Sequence, residues 1–386
     1  MRSAASRRIL RAEFGAAYAA IMAVAVLNVL PALAGVLSRQ LRWDEKAIGL
    51  FAAADSLGAL LGTVIAALQL RRRSARALTT AGMALLAGAD LLSALSSGVA
   101  LTLGARFAGG LGGGIAMGVA FAVFARSQPE RGVALWSIGQ LLFGFIAITA
   151  LPGLTAALGW QSAFVGLAVL AACGIAAARC LPAQSVAGAA ERKGARVATI
   201  APYAWLGVFG VALFYLGQGS LWPYLEVIGV SSGIAQQSVE TSVSVSAASA
   251  ILGSVFVLLV GKRLGRNAPL LAAFMVTIVA VWMLRSPDAG VFRAALAAFT
   301  FAWPVFAAYQ FALIVADHAS ERLGAFVTTA NFAGLVAGPF LSGELIGPDG
   351  LRSAQWLATV ADALALASLL PLMGVQRLWR ARPSAP

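Results

Sequence analysis

Apolar residues run along this chain in blocks of about twenty, separated by short polar or charged groups. A helix rising about 1.5 Å per residue needs roughly 20 apolar residues to cross the hydrocarbon core of a bilayer. Marking the blocks predicts twelve spans: 13–38, 47–70, 77–97, 99–125, 133–157 and 162–182, then, after a polar stretch, 203–228, 238–260, 270–285, 290–315, 324–346 and 353–375. Connections as short as Ser96-Ser97-Gly98 make neighbouring spans antiparallel. The first block begins near Phe14 and continues to about Leu37 with no small-residue cleavage site followed by a soluble domain, so it reads as a retained helix.

Composition makes lipid the solvent. Of 386 residues 60% are hydrophobic and 11% charged, and the mean hydropathy is +0.86, whereas soluble domains keep about a quarter of their residues charged. The 41 glycines, with abundant alanine, suit helices that pack through small residues. The net charge of +13 comes from short basic clusters between apolar blocks, such as Arg7-Arg8, Arg71-Arg72-Arg73, Arg192-Lys193 and Lys262-Arg263. That placement reads as a topology signal and excludes nucleic acid as a partner. Most of the 28 basic residues fall on one side, which puts both termini in the cytoplasm, in a multi-pass protein of a bacterial-type inner (plasma) membrane.

Catalytic chemistry is not encoded. Cys173 and Cys180 lie about 10 Å apart on one helix, too far for a disulfide. There is a single histidine, His318, and no metal-ligand spacing, phosphate loop or nucleophile triad, so neither an enzyme nor a bound metal or cofactor is expected.

The polar stretch divides the chain into an N-terminal six-helix half, 1–182, a cytoplasmic linker, 183–202, and a C-terminal six-helix half, 203–386. A shift of 191 residues lays Ala59-Leu60-Leu61-Gly62-Thr63-Val64 on Ala250-Ile251-Leu252-Gly253-Ser254-Val255, Arg71-Arg72 on Lys262-Arg263, and Gly159 on Gly350. A single offset serving separate spans points to duplication, the usual plan of secondary transporters, with the substrate site between the repeats at mid-membrane.

At the fourth span the chain reads Arg106-Phe107-Ala108-Gly109-Gly110-Leu111-Gly112-Gly113-Gly114. An arginine followed by glycines at positions 110, 112 and 114 resembles the fourth-helix signature of the major facilitator superfamily. The loop Leu68-Gln69-Leu70-Arg71-Arg72-Arg73-Ser74-Ala75-Arg76 looks like a degraded copy of that family's basic loop, with Leu70 in place of its aspartate and Arg73 in place of its glycine. The second copy, Arg263-Leu264-Gly265-Arg266, keeps the glycine, and Gly159-Trp160 before Phe164 is another family habit. The fifth-helix antiporter motif is not recognisable, and a piece like it, Gly334, Gly338-Pro339 and Gly343, stands in span 11 instead, which leaves uptake or efflux open. The resemblance covers the whole chain and implies an all-α integral membrane fold of twelve transmembrane helices in two pseudo-symmetric halves. It further implies a monomeric transporter of a small organic solute that works by alternating access. A receptor or assembly factor on the same fold, without transport, is the alternative.

Charged groups inside hydrocarbon cost at least about 2.5 kcal/mol, so each needs a reason. Asp55 in span 2 and Arg106 in span 4 fall at nearly one depth, and Asp55 shares a helix face with Gly58 and Gly62. They are expected to pair, either as a switch for protons or substrate charge or as a structural ion pair. Asp90 on span 3 falls in the outer third and can join them, but that helix is peripheral in the family. Asp362, on peripheral span 12, is expected to make an interhelical polar contact. Glu226, Glu240 and Glu344 read as solvated near the outer interface, and His318 beside Asp317 as a wet loop residue. By the resemblance, helices 1, 4, 7 and 10 line the central cavity. The candidates on them are Asn28, Arg106, Tyr215, Gln218, Trp222, Trp303, Tyr309 and Gln310. Tyr215, Gln218 and Trp222 share one helix face by spacing, and Pro223 and Pro304 are expected to interrupt their helices. Arg106 would suit an anionic solute, while the aromatic and small-residue cavity would suit a lipophilic one.

Overall fold

Every apolar block becomes helix, because in hydrocarbon the backbone N–H and C=O groups must be paired within the chain, and a helix pairs them locally. The structure, a computed structural model, describes residues 4–70, 72–126, 129–183, 202–260, 263–314, 321–346 and 351–380. Of the positions singled out above, linker residues 184–201 and Arg71, Lys262, Asp317, His318 and Gly350 lie outside the described residues.

The first half contains α1, in two segments Ala4–Ala23 and Ala25–Leu41, then α2 Glu45–Gln69, α3 Ala75–Leu95, α4 Val99–Arg126, α5 Pro129–Leu158 and α6 Gln161–Ala178. The second contains α7, in the segments Pro202–Leu221 and Leu225–Ser231 joined by a 3-10 turn at Trp222–Tyr224, then α8 Gln236–Val260, α9 Asn267–Met283, α10 Ala289–Ile314, α11 Glu321–Leu345 and α12 Arg352–Arg380. The chain is thus an all-α membrane protein of twelve transmembrane helices in two halves. Among the described residues ten spans are long and apolar enough to cross by themselves, and α9 is a shorter apolar helix. Leu95, Leu158, Leu258 and Leu259 are all more than two-thirds exposed, which is neutral against lipid and would be a liability in water.

Local chemistry sets the ends. Asp44 caps α2, its side chain accepting from Ala47 N at 2.8 Å, and Ser74 caps α3 by accepting from Ala77 N at 3.1 Å. Gly159 turns α5 into α6 at φ +83°, and Gly265 occupies the left-handed region at φ +71° between α8 and α9. In the first basic loop Arg73 replaces that glycine, and the left-handed turn is gone. There Arg72 and Arg73 both donate their N–H to Gln69 O, at 2.9 and 2.8 Å.

Proline is a poor guide to the breaks. Pro223 does sit in the 3-10 turn of α7, but Pro304 lies inside an unbroken α10, contrary to expectation. The break in α1 falls at Val24 (φ −112°, ψ 12°), which is neither proline nor glycine. Gly113 of α4 packs directly on the Ala23 backbone at that point, where any side chain would collide.

The chain divides into two compact units, Met1–Ala195 and Arg196–Pro386. In the first, α4 packs against α1, α2 and α3, while α3 meets α6 and α1 meets α5 and α6. In the second, α10 packs against α7, α8 and α9, while α9 meets α12 and α7 meets α11 and α12, so each pairing recurs six helices later. The 191-residue offset holds at the level of packing to within one residue. Gly62 of α2 abuts the α4 backbone at Leu111, and Gly253 of α8 abuts the α10 backbone at Phe301.

The glycine run of α4 explains itself by this packing. Gly110 and Gly114, one turn apart, face the α2 backbone at Asp55 and Ala59, and Gly112 faces α3 at Gly82. A Cβ on Gly114 would overlap Ala59 O, so Gly114→Ala is expected to lose about 1–3 kcal/mol by overpacking. Gly166→Ala on α6, where a Cβ meets nothing, should be close to neutral. Thermal denaturation of the purified variants checks this, and equal shifts for the two would contradict it.

Candidate functional site

The largest fully buried side chain among the described residues is an arginine. Arg106 projects from α4 between α2 and α3, and its guanidinium makes three polar contacts. Nη2 donates to Asp90 Oδ1 of α3 at 2.7 Å, Nε donates to Ser93 Oγ at 3.2 Å, and Nη1 stands 3.7 Å from Asp55 Oδ1 of α2. The contact to Asp55 is electrostatic only, since Nη1 has no hydrogen-bond partner. Ser93 passes the interaction on by donating to Ala89 O at 2.9 Å. Asp55, Asp90 and Ser93 are all buried.

Two rings cover the guanidinium. Its Cζ lies 5.8 Å from the Phe51 ring centre and 5.6 Å from that of Phe164, distances at which a cation is attracted to the ring face. Trp43 and Trp160 pack edge-on against these two phenylalanines. Gly109 supplies the room, because a Cβ there would press on the Arg106 guanidinium and on Ala89. The result is a water-excluded centre holding one cation and two carboxyl groups, built from α2, α3, α4 and α6. With both carboxyls ionised it has one uncompensated negative charge, and one proton makes it neutral. The guanidinium is fully buried here and faces two carboxyl groups.

Asp55 does stand beside Arg106, but Asp90, on a helix that the family resemblance puts at the periphery, is its closer partner. Ser93, Phe51 and Phe164 were not among the candidates. Phe164 follows the Gly159-Trp160 pair, and its contact with Arg106 gives that pattern a purpose.

In the second unit the candidates divide. Tyr215, Trp222 and Trp303 form one aromatic group, with ring centres 6.2 Å apart for Tyr215–Trp303 and 5.4 Å for Trp222–Trp303. Tyr215 also lies beside Asn331 of α11, a residue missed in the sequence. Gln218 leaves this face. It is fully buried and donates from Nε2 to Asp362 Oδ2 at 3.4 Å, drawn to the side of α7 on which α12 packs. Tyr309 and Gln310 are buried in the core of the unit. Asn28, in the first unit, is half-buried and donates to Gln140 O of α5 at 3.4 Å. Glu226 was expected to be solvated and instead is buried, accepting from Gln236 Nε2 at 3.2 Å; the same nitrogen donates to Glu240 at 2.6 Å.

The glycines of span 11 also find a role. Gly334 and Gly338 press on the α7 backbone at Ala212 and Leu216, while Pro339 O accepts from Tyr224 Oη at 3.3 Å and Ser342 donates to Ser220 O at 2.9 Å. They hold α11 across the α7 break. Among the described residues no group of three or more His, Cys, Asp or Glu could hold a metal.

The sequence matches the Major Facilitator Superfamily over residues 15–284. No curated protein matches the chain by sequence. Among solved structures, the nucleoside transporter NupG superposes with a TM-score of 0.69 at 15% identity, covering 95% of this chain and 98% of its own. A bacterial homologue of the human lysosomal transporter Spinster, solved inward-facing and unoccupied, superposes with a TM-score of 0.69 at 13% identity, covering 99% of both chains. At these identities the likeness is one of fold.

Proposed function

The chain belongs to the Major Facilitator Superfamily, a family of membrane transporters, and from that premise we propose that it moves a small organic solute across the membrane by alternating access, driven by protons. The observation that carries this reading is the buried centre of one guanidinium and two carboxyl groups on α2, α3 and α4. Its two carboxyls have different duties. Asp90, bonded to Arg106 at 2.7 Å, anchors the guanidinium. Asp55, at 3.7 Å from an Nη1 that has no hydrogen bond, is the one whose proton comes and goes. When ionised, Asp55 draws Nη1 and tightens α2 on α4; when protonated, it releases that attraction. Gly58, Gly62, Gly110 and Gly114 let the two helices touch closely enough for such a change to be felt.

The solute surface in this reading is the aromatic group Tyr215, Trp222 and Trp303 with Asn331. Broad rings and one amide suit a flat, partly apolar solute. The test is a thermal-shift screen of the purified protein against a library of metabolites and drugs, followed by flux of each hit into proteoliposomes. A ligand of the native state present at about 100 times its Kd adds about 2.7 kcal/mol of apparent stability. The reading expects at least one stabilising solute that also crosses the membrane. Ligands that stabilise and never cross would make the protein a receptor.

A further inference from the structure

One buried carboxyl group of the second unit has no part in the transport reading. Asp362 sits ten residues into α12, buried, with its carboxyl against Gly217 of α7. Its Oδ2 accepts the hydrogen bond from Gln218 Nε2. Two atoms of this pair are left over, because Asp362 Oδ1 and Gln218 Oε1 are both buried without a hydrogen-bond partner.

Among the described residues no ion pair reaches Asp362, and the pairs of Arg106 lie in the first unit. Helix α12 packs against α7, α9, α10 and α11. On α7, Tyr215 turns to Trp303, Tyr224 to Pro339 O and Glu226 to Gln236. The stretch Asn267–Met283 of α9 has no titratable residue. On α10, Arg293 donates to Ser242 and Tyr309 lies in the hydrophobic core. Helix α11 has Glu321 and Arg322 in its first turn and Glu344 exposed in its last.

An uncompensated carboxylate is among the costliest groups a membrane helix can hold, and an orphaned buried acceptor is costly in its own right. One proton answers both. Placed on Oδ1, it neutralises the carboxyl and makes a donor of an orphaned acceptor, and Gln218 Oε1 is the matching acceptor on the residue already bonded. Oδ2 keeps its bond from Nε2, and a bond from the protonated Oδ1 to Oε1 would close a two-bond acid–amide ring. We propose that Asp362 and Gln218 form a second proton-binding site, which locks α12 to α7 four residues before the Trp222 turn. The proton comes from water and forms an O–H bond with an Oδ1 lone pair, and no other bond breaks. With the proton gone, a single bond from the amide to a carboxylate remains.

The full chain in lipid nanodiscs at neutral pH tests this by infrared spectroscopy. The spectrum of the wild type minus that of Asp362→Asn should contain the C=O band of a protonated acid. A carboxylate pair of bands in its place overturns the proposal. If Asp362→Asn does not fold, Gln218→Leu keeps the acid but removes its ring partner, and the acid band must then shift; an unmoved band overturns it equally. A rise in Tm with sodium that is absent in Asp362→Asn would make the ligand a metal cation and also overturn it. No solute or flux enters, so failure here leaves the transport reading standing.

Discussion

Arg106→Gln is expected to be the most destabilising single substitution in the first unit. It removes the only cation from a centre with two buried carboxyl groups, and it strips Ser93 and both rings of their partner. Breaking a buried pair by removing one side typically costs about 3–5 kcal/mol, because the surviving charge is stranded. Arg106→Lys should recover little, since a single ammonium cannot reach Asp90, Ser93 and Asp55 together as a planar fork does. Double-mutant cycles then rank the partners. Asp90, bonded at 2.7 Å, should couple to Arg106 more strongly than Asp55 at 3.7 Å, and Arg106→Gln with Asp90→Asn should be more stable than Arg106→Gln alone. Unfolding of purified variants measures all of this. Costs that simply add would mean the residues do not interact.

Asp55→Asn is expected to have the largest effect on transport with a small one on stability. It keeps the shape of the side chain and leaves Asp90 and Arg106 as a neutral, hydrogen-bonded pair. What it removes is the exchangeable charge. A solute coupled to one proton accumulates up to about tenfold per unit of pH gradient, since one unit is worth about 1.4 kcal/mol. Asp55→Asn should bring that ratio down to about one while exchange of solute across the membrane continues. Asp90→Asn should show the opposite balance, with a clear loss of stability, because the guanidinium loses its short bond. If Asp55→Asn still accumulates solute, the switch is elsewhere.

The fold was legible because hydrocarbon allows so few alternatives. Blocks of apolar sequence long enough to cross had to become helices, and span 2, expected at 47–70, is the helix Glu45–Gln69. Breaks within helices were legible only where a residue marked them. Pro223 announced the turn in α7, but the Val24 break arises where α4 approaches through Gly113, a tertiary contact with no local signature.

The site was half legible. Counting residues from the outer ends of the predicted spans puts Asp55 about 8, Asp90 about 7 and Arg106 about 7 positions deep, all within about 2 Å, so depth admitted both carboxyls as partners and did not rank them. Placing α3 at the periphery obscured this, because a peripheral helix can still turn one face inward. Ser93, three residues along that same face, was findable by the same argument. Glu226 was misjudged because its depth was read from a continuous span, whereas α7 breaks just before it and the short segment Leu225–Ser231 folds it onto Gln236 of α8. Gln218 followed its neighbours in spacing but not in direction, and only the packing of α12 shows why.

Proton movement tied to solute movement tests the central claim most directly. Proteoliposomes containing the purified protein and an internal pH-sensitive dye would be given a solute identified by thermal shift, with no imposed gradient. The account predicts that solute entry changes the internal pH with the wild-type protein and leaves it unchanged with Asp55→Asn. Solute that crosses through the wild type without moving protons, or that moves them equally through Asp55→Asn, would contradict it.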